Sequence, residues 1–78
     1  MKNEIADMIE RIEALLEDSP HKIKIELAFV ISLLKKAKTQ DDLITIQEHL
    51  EFIVNMSNID PFISTEIYDA ISIIESLI

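Results

Sequence analysis

The 78-residue sequence contains no cysteine, no glycine and no tryptophan, and it has only two prolines. Without cysteine, no disulfide can stabilise this small chain. Without glycine, tight hairpin turns and phosphate-cradling loops are disfavoured, which argues against an all-β fold and against a nucleotide-binding loop. A membrane-spanning helix would need an uninterrupted run of about 18 apolar residues, and the sequence has none. It also shows no signal peptide. We therefore expect a soluble, cytoplasmic, helical protein with no membrane partner.

Positive charge is also scarce, since seven basic residues face fifteen acidic ones and the net charge is −8. This balance makes the chain an acidic protein that repels phosphate backbones, which argues against nucleic acid as a partner. Most of the basic residues fall on one predicted helix, the second: Lys22, Lys24, Lys35, Lys36 and Lys38. We expect these lysines to balance acidic neighbours within the chain rather than to bind RNA or an acidic ligand.

The most informative feature present is helical periodicity, because apolar residues recur at intervals of three and four. Their stripes predict an all-α, four-helix domain, a single domain over residues 1–78, with one apolar stripe each over residues 5–16, 23–37, 43–54 and 63–78. Between the helices stand capping signals. Ser19 with Pro20 is predicted to start the second helix, Thr39 with Asp42 to form a capping box before the third, and residues 57–61 to repeat the cap-plus-proline signal.

The helices also align in pairs, the first with the third at an offset of 38 residues and the second with the fourth at an offset of 40. At these offsets Ile12 falls on Leu50, and Leu27 falls on Ile67. The period is near that of HEAT-type repeats and predicts two helical hairpins. They form either a HEAT-like repeat pair stacked openly or an up-down bundle. True duplication and a chance likeness between amphipathic helices both remain open.

A second set of apolar residues lies outside the four stripes. On the second helix these residues recur at i, i+4 and i+8. The set predicts an interface formed by Ile25, Phe29, Leu33, Phe52, Met56, Tyr68 and Ile73. Either the second helix contacts neighbours on both sides within the fold, or the set is an exposed patch for self-association. We favour a twofold homodimer, because so small a domain gains stability from a partner subunit.

No arrangement of residues points to catalysis, a metal or a cofactor. His21 and His49 belong to no ligand motif and are predicted to lie at the surface or near helix caps. Glu10, Glu13 and Glu17 share a face opposite the apolar stripe, which is typical of a solvated acidic surface. The serines lack a histidine–acid arrangement and a glycine-rich elbow. We therefore expect a protein that is not an enzyme and has no cofactor.

Two segments carry a family resemblance: residues 20–24, Pro-His-Lys-Ile-Lys, and residues 65–75, Thr-Glu-Ile-Tyr-Asp-Ala-Ile-Ser-Ile-Ile-Glu. They resemble the start of helix two and the ending of helix four in uncharacterised protein family zero-one-four-seven, a small archaeal family of about this length. The chain departs from that pattern at Ser64, where the family tends to have a basic residue, and in the position of Pro61 in its linker. The resemblance implies an archaeal, cytoplasmic, all-helical protein and lends no catalytic residue.

These features predict a non-enzymatic protein–protein interaction module of unknown biological role. Its partner is a second copy of the chain, as a homodimer, or another protein that the sequence does not identify. The alternative is a small ligand-binding or regulatory protein for a nucleotide, RNA or metabolite. Such a protein would use the lysine-rich side of helix two, near Lys24 and Lys35, or a pocket between the hairpins.

Overall fold

In a computed structural model the chain forms four helices: α1 (Lys2–Leu16), α2 (His21–Lys36), α3 (Gln40–Val54) and α4 (Pro61–Leu77). The structure describes residues 2–56 and 58–78, and this part of the chain contains no β-strand. The predicted all-α class with four helices is confirmed. Within the same residues, no helix combines the length and the apolar character that crossing a membrane requires.

The helices form a closed ring. Each helix packs against the next one along the chain, and α1 also packs against α4, whereas no Cα atoms of the diagonal pairs approach within 8 Å among the described residues. Because the connections are short, neighbouring helices run antiparallel. The molecule is therefore an up-down bundle rather than an open stack of repeats. An open stack of only two hairpins would leave its terminal apolar stripes in water.

The core is aliphatic apart from one methionine. Every member belongs to one of the four predicted stripes, although Ile78 at the end of the fourth stripe is exposed. The buried core residues are Met8, Ile12, Leu15, Ile23, Leu27, Val30, Ile31, Leu34, Leu43, Ile46, Leu50, Ile53, Ile63, Ile67, Ala70, Ile71 and Ile74. All four aromatic residues of the chain lie outside it, at between 50% and 60% exposure. They are Phe29, Phe52, Phe62 and Tyr68. The largest apolar side chains are therefore available at the surface.

The two hairpins are equivalent in the structure as well as in the sequence. The first residues of α1 and α3 are 38 positions apart, and those of α2 and α4 are 40 apart. Buried residues match at the same offsets, for example Ile12 with Leu50 and Leu27 with Ile67. Each position in one hairpin thus has a counterpart in the other, which gives an internal reference for deciding which residues the packing needs.

Two of the predicted helix starts are confirmed. At α3, the Thr39 hydroxyl accepts a hydrogen bond from the Asp42 amide at 3.2 Å, and the Asp42 carboxylate accepts one from the Thr39 amide at 3.1 Å. At α4, the Asp60 carboxylate accepts from the Phe62 amide at 2.7 Å, with Pro61 in the first turn. These bonds satisfy amides that have no partner within their own helix.

The predicted start of α2 is wrong. Pro20 is the N-cap residue, α2 begins at His21, and no side chain caps it. The Ser19 hydroxyl instead donates to the Leu15 carbonyl at 2.7 Å and is buried there. The end of α1 also leaves carbonyls without a partner in the helix, and Ser19 is close enough to serve one of them. Ser57, the first residue of the predicted break before α4, lies outside the described residues.

The capping box has an electrostatic component at Asp42. Its carboxylate accepts hydrogen bonds from the backbone amides of Lys38, at 2.8 Å, and of Thr39. These two bonds stabilise the charged form and lower the pKa of the Asp42 side chain below its ordinary value. Folding therefore favours the ionised carboxylate at this position.

Replacing Asp42 by Asn should lower the melting temperature at neutral pH, because the amide keeps an acceptor but loses the charge. The pKa of Asp42 is depressed in the folded state, so its contribution is complete above the ordinary value of about 3.9. That contribution is lost as pH falls through the lower folded value. Thermal melts followed by circular dichroism should show the gap between the two proteins narrowing as pH falls below the ordinary aspartate pKa value. Asp69→Asn, on the exposed face of α4, is the control; a gap for Asp42→Asn that persists at low pH would contradict this account.

Candidate functional site

The long face shared by α2 and α3 carries a cluster of exposed apolar side chains. Phe29 projects from α2 and Phe52 from α3, and Ile25, at 55% exposure, lies one turn before Phe29, where it also lines the groove toward α1. Glu26 and His49 lie between them in the seam between the two helices. We call these five residues the α2–α3 patch. It combines a polar centre with an apolar rim.

His49 connects the members of the patch. Its Nε2 atom lies 2.9 Å from Oε1 of Glu26. Because an ionised carboxylate can only accept, the imidazole donates in this bond. The His49 ring also meets Phe29 edge-on, with centroids 4.9 Å apart, and Phe52 at a tilt, with centroids 5.6 Å apart. Such contacts restrain both phenyl rings, so the patch is a pre-formed surface.

The position of His49 corrects the expectation that both histidines are surface or cap residues. His21 is exposed, but only 22% of the His49 side chain is accessible. The packing of α2 against α3 covers it. Glu26 with Phe29 and His49 with Phe52 are each spaced at i, i+3, so each pair shares one helix face. The two pairs meet only through the antiparallel contact of their helices, which a single-sequence pattern does not specify.

The other residues of the predicted interface are distributed around the bundle. Leu33, Met56 and Ile73 are half-buried and pack against the core. Tyr68 is exposed, but it lines a groove between α3 and α4 with Glu51. Ile73 follows Tyr68 by five residues and therefore lies about 140° away around α4. The structure thus brings Phe29 and Phe52 together through His49, with Ile25 one turn from Phe29 on the side toward α1, and it places Tyr68 and Ile73 on other sides of the molecule.

The equivalence of the hairpins shows which apolar residues the packing requires. The seam between α4 and α1 is the counterpart of the seam between α2 and α3. In that second seam, the positions equivalent to Ile25, Phe29 and Phe52 hold, in that order, Thr65, Asp69 and Ala14. All three counterparts are exposed. The bundle therefore packs without apolar residues at these positions.

Leu33 and Ile73 behave differently, because they are counterparts of each other at the 40-residue offset. Both are apolar and half-buried, and both pack against the core. A feature repeated in both hairpins is explained by packing. These two residues of the predicted interface therefore have a structural role.

The lysine-rich side of α2 does not form one site. Lys24 lines a groove between α1 and α2 with Leu16, while Lys35 lines a separate groove with Ile9 and Leu34. The lysines of α2 also form no ion pair with any carboxylate that the structure describes. Lys38 lies beyond the end of α2, where its charge adds to the backbone hydrogen bonds that lower the pKa of Asp42. The expected balance by acidic neighbours is therefore found at Lys38 and, among the residues described, not as ion pairs along the helix.

The patch offers an apolar rim around a hydrogen-bonded polar pair. Across residues 2–56 and 58–78, no group of three or more histidine, cysteine, aspartate or glutamate side chains is arranged to hold a metal ion. Glu26 and His49 satisfy each other through their hydrogen bond. An apolar rim around a satisfied polar pair is suited to contact with another apolar surface.

A double-mutant cycle should measure the contact at the centre of the patch. For Glu26→Ala and His49→Ala we expect a coupling energy of about 0.5–1 kcal/mol, because the pair is partly shielded from water. Urea unfolding at one fixed protein concentration provides the four free energies. The matched control is the equivalent pair Glu66 and Arg11, which form no hydrogen bond or ion pair in the described structure. Equal coupling in both cycles would show that the Glu26–His49 contact has no special role.

Comparison with known proteins identifies no family for this chain. No family model matches the chain, and no curated protein or solved structure is significantly similar to it. The resemblance to uncharacterised protein family zero-one-four-seven therefore stays a prediction. The functional argument depends on the geometry of the patch.

Proposed function

We propose that this chain is a non-enzymatic protein–protein interaction module that forms a homodimer in the cytoplasm through the α2–α3 patch. The observation that supports it is the difference between the two hairpins. They share the same core pattern, yet α2 and α3 carry exposed Ile25, Phe29 and Phe52 where α4 and α1 have Thr65, Asp69 and Ala14. Because folding does not need these side chains, burial against a partner explains them.

The physical properties of the patch favour association. Aromatic side chains supply much of the binding energy at protein interfaces, and here two phenylalanines are restrained before binding by His49. A stable interface buries about 800 Å² on each partner. That is about one sixth of the accessible surface of 4954 Å², so one long face of the bundle is large enough.

A second copy of the chain is the partner that fits the patch. A twofold axis through an interface brings the same surface of both subunits together. The apolar side chains of α2 and of α3 would then meet apolar side chains on the other copy. A small domain also gains most of its additional stability from such a contact, because its own core is thin.

The expected behaviour is a dimer at about 100 μM that begins to dissociate within a dilution series to about 1 μM. Phe29→Asp introduces the residue found at the equivalent position of the second hairpin, Asp69, so the variant should remain folded. It should weaken dimerisation at least about tenfold, because a buried charge would face the other subunit. Light scattering gives the mass, and circular dichroism gives the helix content.

Tyr68→Ala is the matched control. It removes another exposed aromatic residue, and its counterpart in the first hairpin is Ala28. Since Tyr68 lies in the α3–α4 groove, this variant should dimerise like the wild type. A wild-type chain that is monomeric at about 100 μM would overturn the proposal, and so would equal weakening by both substitutions.

A further inference from the structure

The two helices that form the patch carry opposite charge. Helix α2 has four lysines against a single glutamate: Lys22, Lys24, Lys35, Lys36 and Glu26. Helix α3 has four carboxylates and no lysine or arginine: Asp41, Asp42, Glu48 and Glu51. Lys24 and Lys35 line grooves toward α1, and Glu51 lines the α3–α4 groove. Among the described residues, the unpaired charges left toward the patch are therefore the exposed Lys22 and Lys36 of α2 against the exposed Asp41 and Glu48 of α3.

Two of these charges lie in line with the exposed aromatic residues. Lys36 follows Phe29 by seven residues, which is about two turns of α2, and Asp41 precedes Phe52 by eleven, about three turns of α3. Lys36 and Asp41 are exposed, and neither makes an ion pair or side-chain hydrogen bond with the described residues. Both charges are free to meet a partner.

The contacts of His49 fix the register of α2 against α3. Glu26 and Phe29 both lie beside His49 in this antiparallel pair. Counting outward along both helices from these contacts places Ile25 level with Phe52, and Lys36 level with Asp41. The basic end of α2 and the acidic start of α3 therefore lie at the same end of the patch.

A twofold axis can relate two such faces in two main ways. With the axis parallel to the helices, α2 of one copy lies over α3 of the other at the same level. With the axis across the helices, α2 lies over α2 and α3 lies over α3. The second arrangement sets lysines against lysines and carboxylates against carboxylates, and like charges in an interface oppose binding.

Resting on the proposed homodimer, we infer that α2 of each copy packs over α3 of the other. Lys36 then faces Asp41 of the second copy, and Ile25 faces Phe52 of the second copy, each contact occurring twice by symmetry. The net charge of −8 makes two copies repel each other at long range. The arrangement that sets basic α2 on acidic α3 offsets this repulsion at the contact surface.

Charge reversal tests this arrangement. Lys36→Glu and Asp41→Lys should each raise the dimer dissociation constant about tenfold, because each creates two like-charge contacts per dimer. An equimolar mixture of the two variants should dimerise with nearly wild-type affinity. In the mixed dimer one contact has its charges exchanged and the other keeps the wild-type pair. Light scattering across a dilution series provides all four dissociation constants.

Lys35→Glu is the matched control, since it makes the same charge change at the same end of α2. Lys35 lines the groove toward α1 and not the α2–α3 face, so its dimer should dissociate as the wild type does. Circular dichroism checks the fold of every variant. Should Lys36→Glu or Asp41→Lys fail to fold, Lys36→Gln and Asp41→Asn should each weaken the dimer by about threefold.

The outcomes separate this inference from the proposed function. A monomeric wild type would overturn both. If Lys36→Glu tightens the wild-type dimer and mixing the two variants does not restore wild-type affinity, the homodimer stands. In that case α2 packs over α2 of the other copy. Equal weakening by Lys35→Glu and Lys36→Glu would overturn the specific contact with Asp41. Recovery in the mixture, with Lys35→Glu unchanged, is the result expected for α2 over α3.

Discussion

The bundle depends on the contact between α1 and α4, because that contact converts two helical hairpins into a closed ring. A chain of this length has a thin core, and each helix supplies one aliphatic stripe to it. Closing the ring buries all four stripes against one another. The α1–α4 contact that closes it is the least extensive of the four helix contacts. Aliphatic side chains fill the space it encloses, and the aromatic residues remain outside.

The equivalence of the hairpins distinguishes the apolar residues that packing requires from those that are available for binding. Positions such as Leu33 and Ile73 are apolar in both hairpins and belong to the architecture. The exposed residues of the α2–α3 patch have polar or small counterparts, so the bundle would form without them. The molecule is symmetric in its core and asymmetric at its surface, and the asymmetric surface is where its function is to be sought.

Several local features could be read from the sequence because neighbouring residues specify them. The four stripes, the Thr39–Asp42 capping box and the Asp60 cap depend on spacings of two to four residues. Ser19 misled the prediction because a serine between two helices can bond the end of one or the start of the other. His49 was misplaced because its partners Glu26 and Phe29 lie at least twenty residues away on another helix.

The sequence by itself determined the number of helices, their buried faces and the excess of apolar residues over what a core needs. Each of these follows from periodicity along one helix. Only the tertiary structure decided that the hairpins close into a ring, and that Phe29 and Phe52 meet across one seam while Tyr68 and Ile73 lie elsewhere. The physical reason is that helix periodicity fixes the direction of a side chain about its own axis. Which helix lies beside that face is fixed by packing among all four.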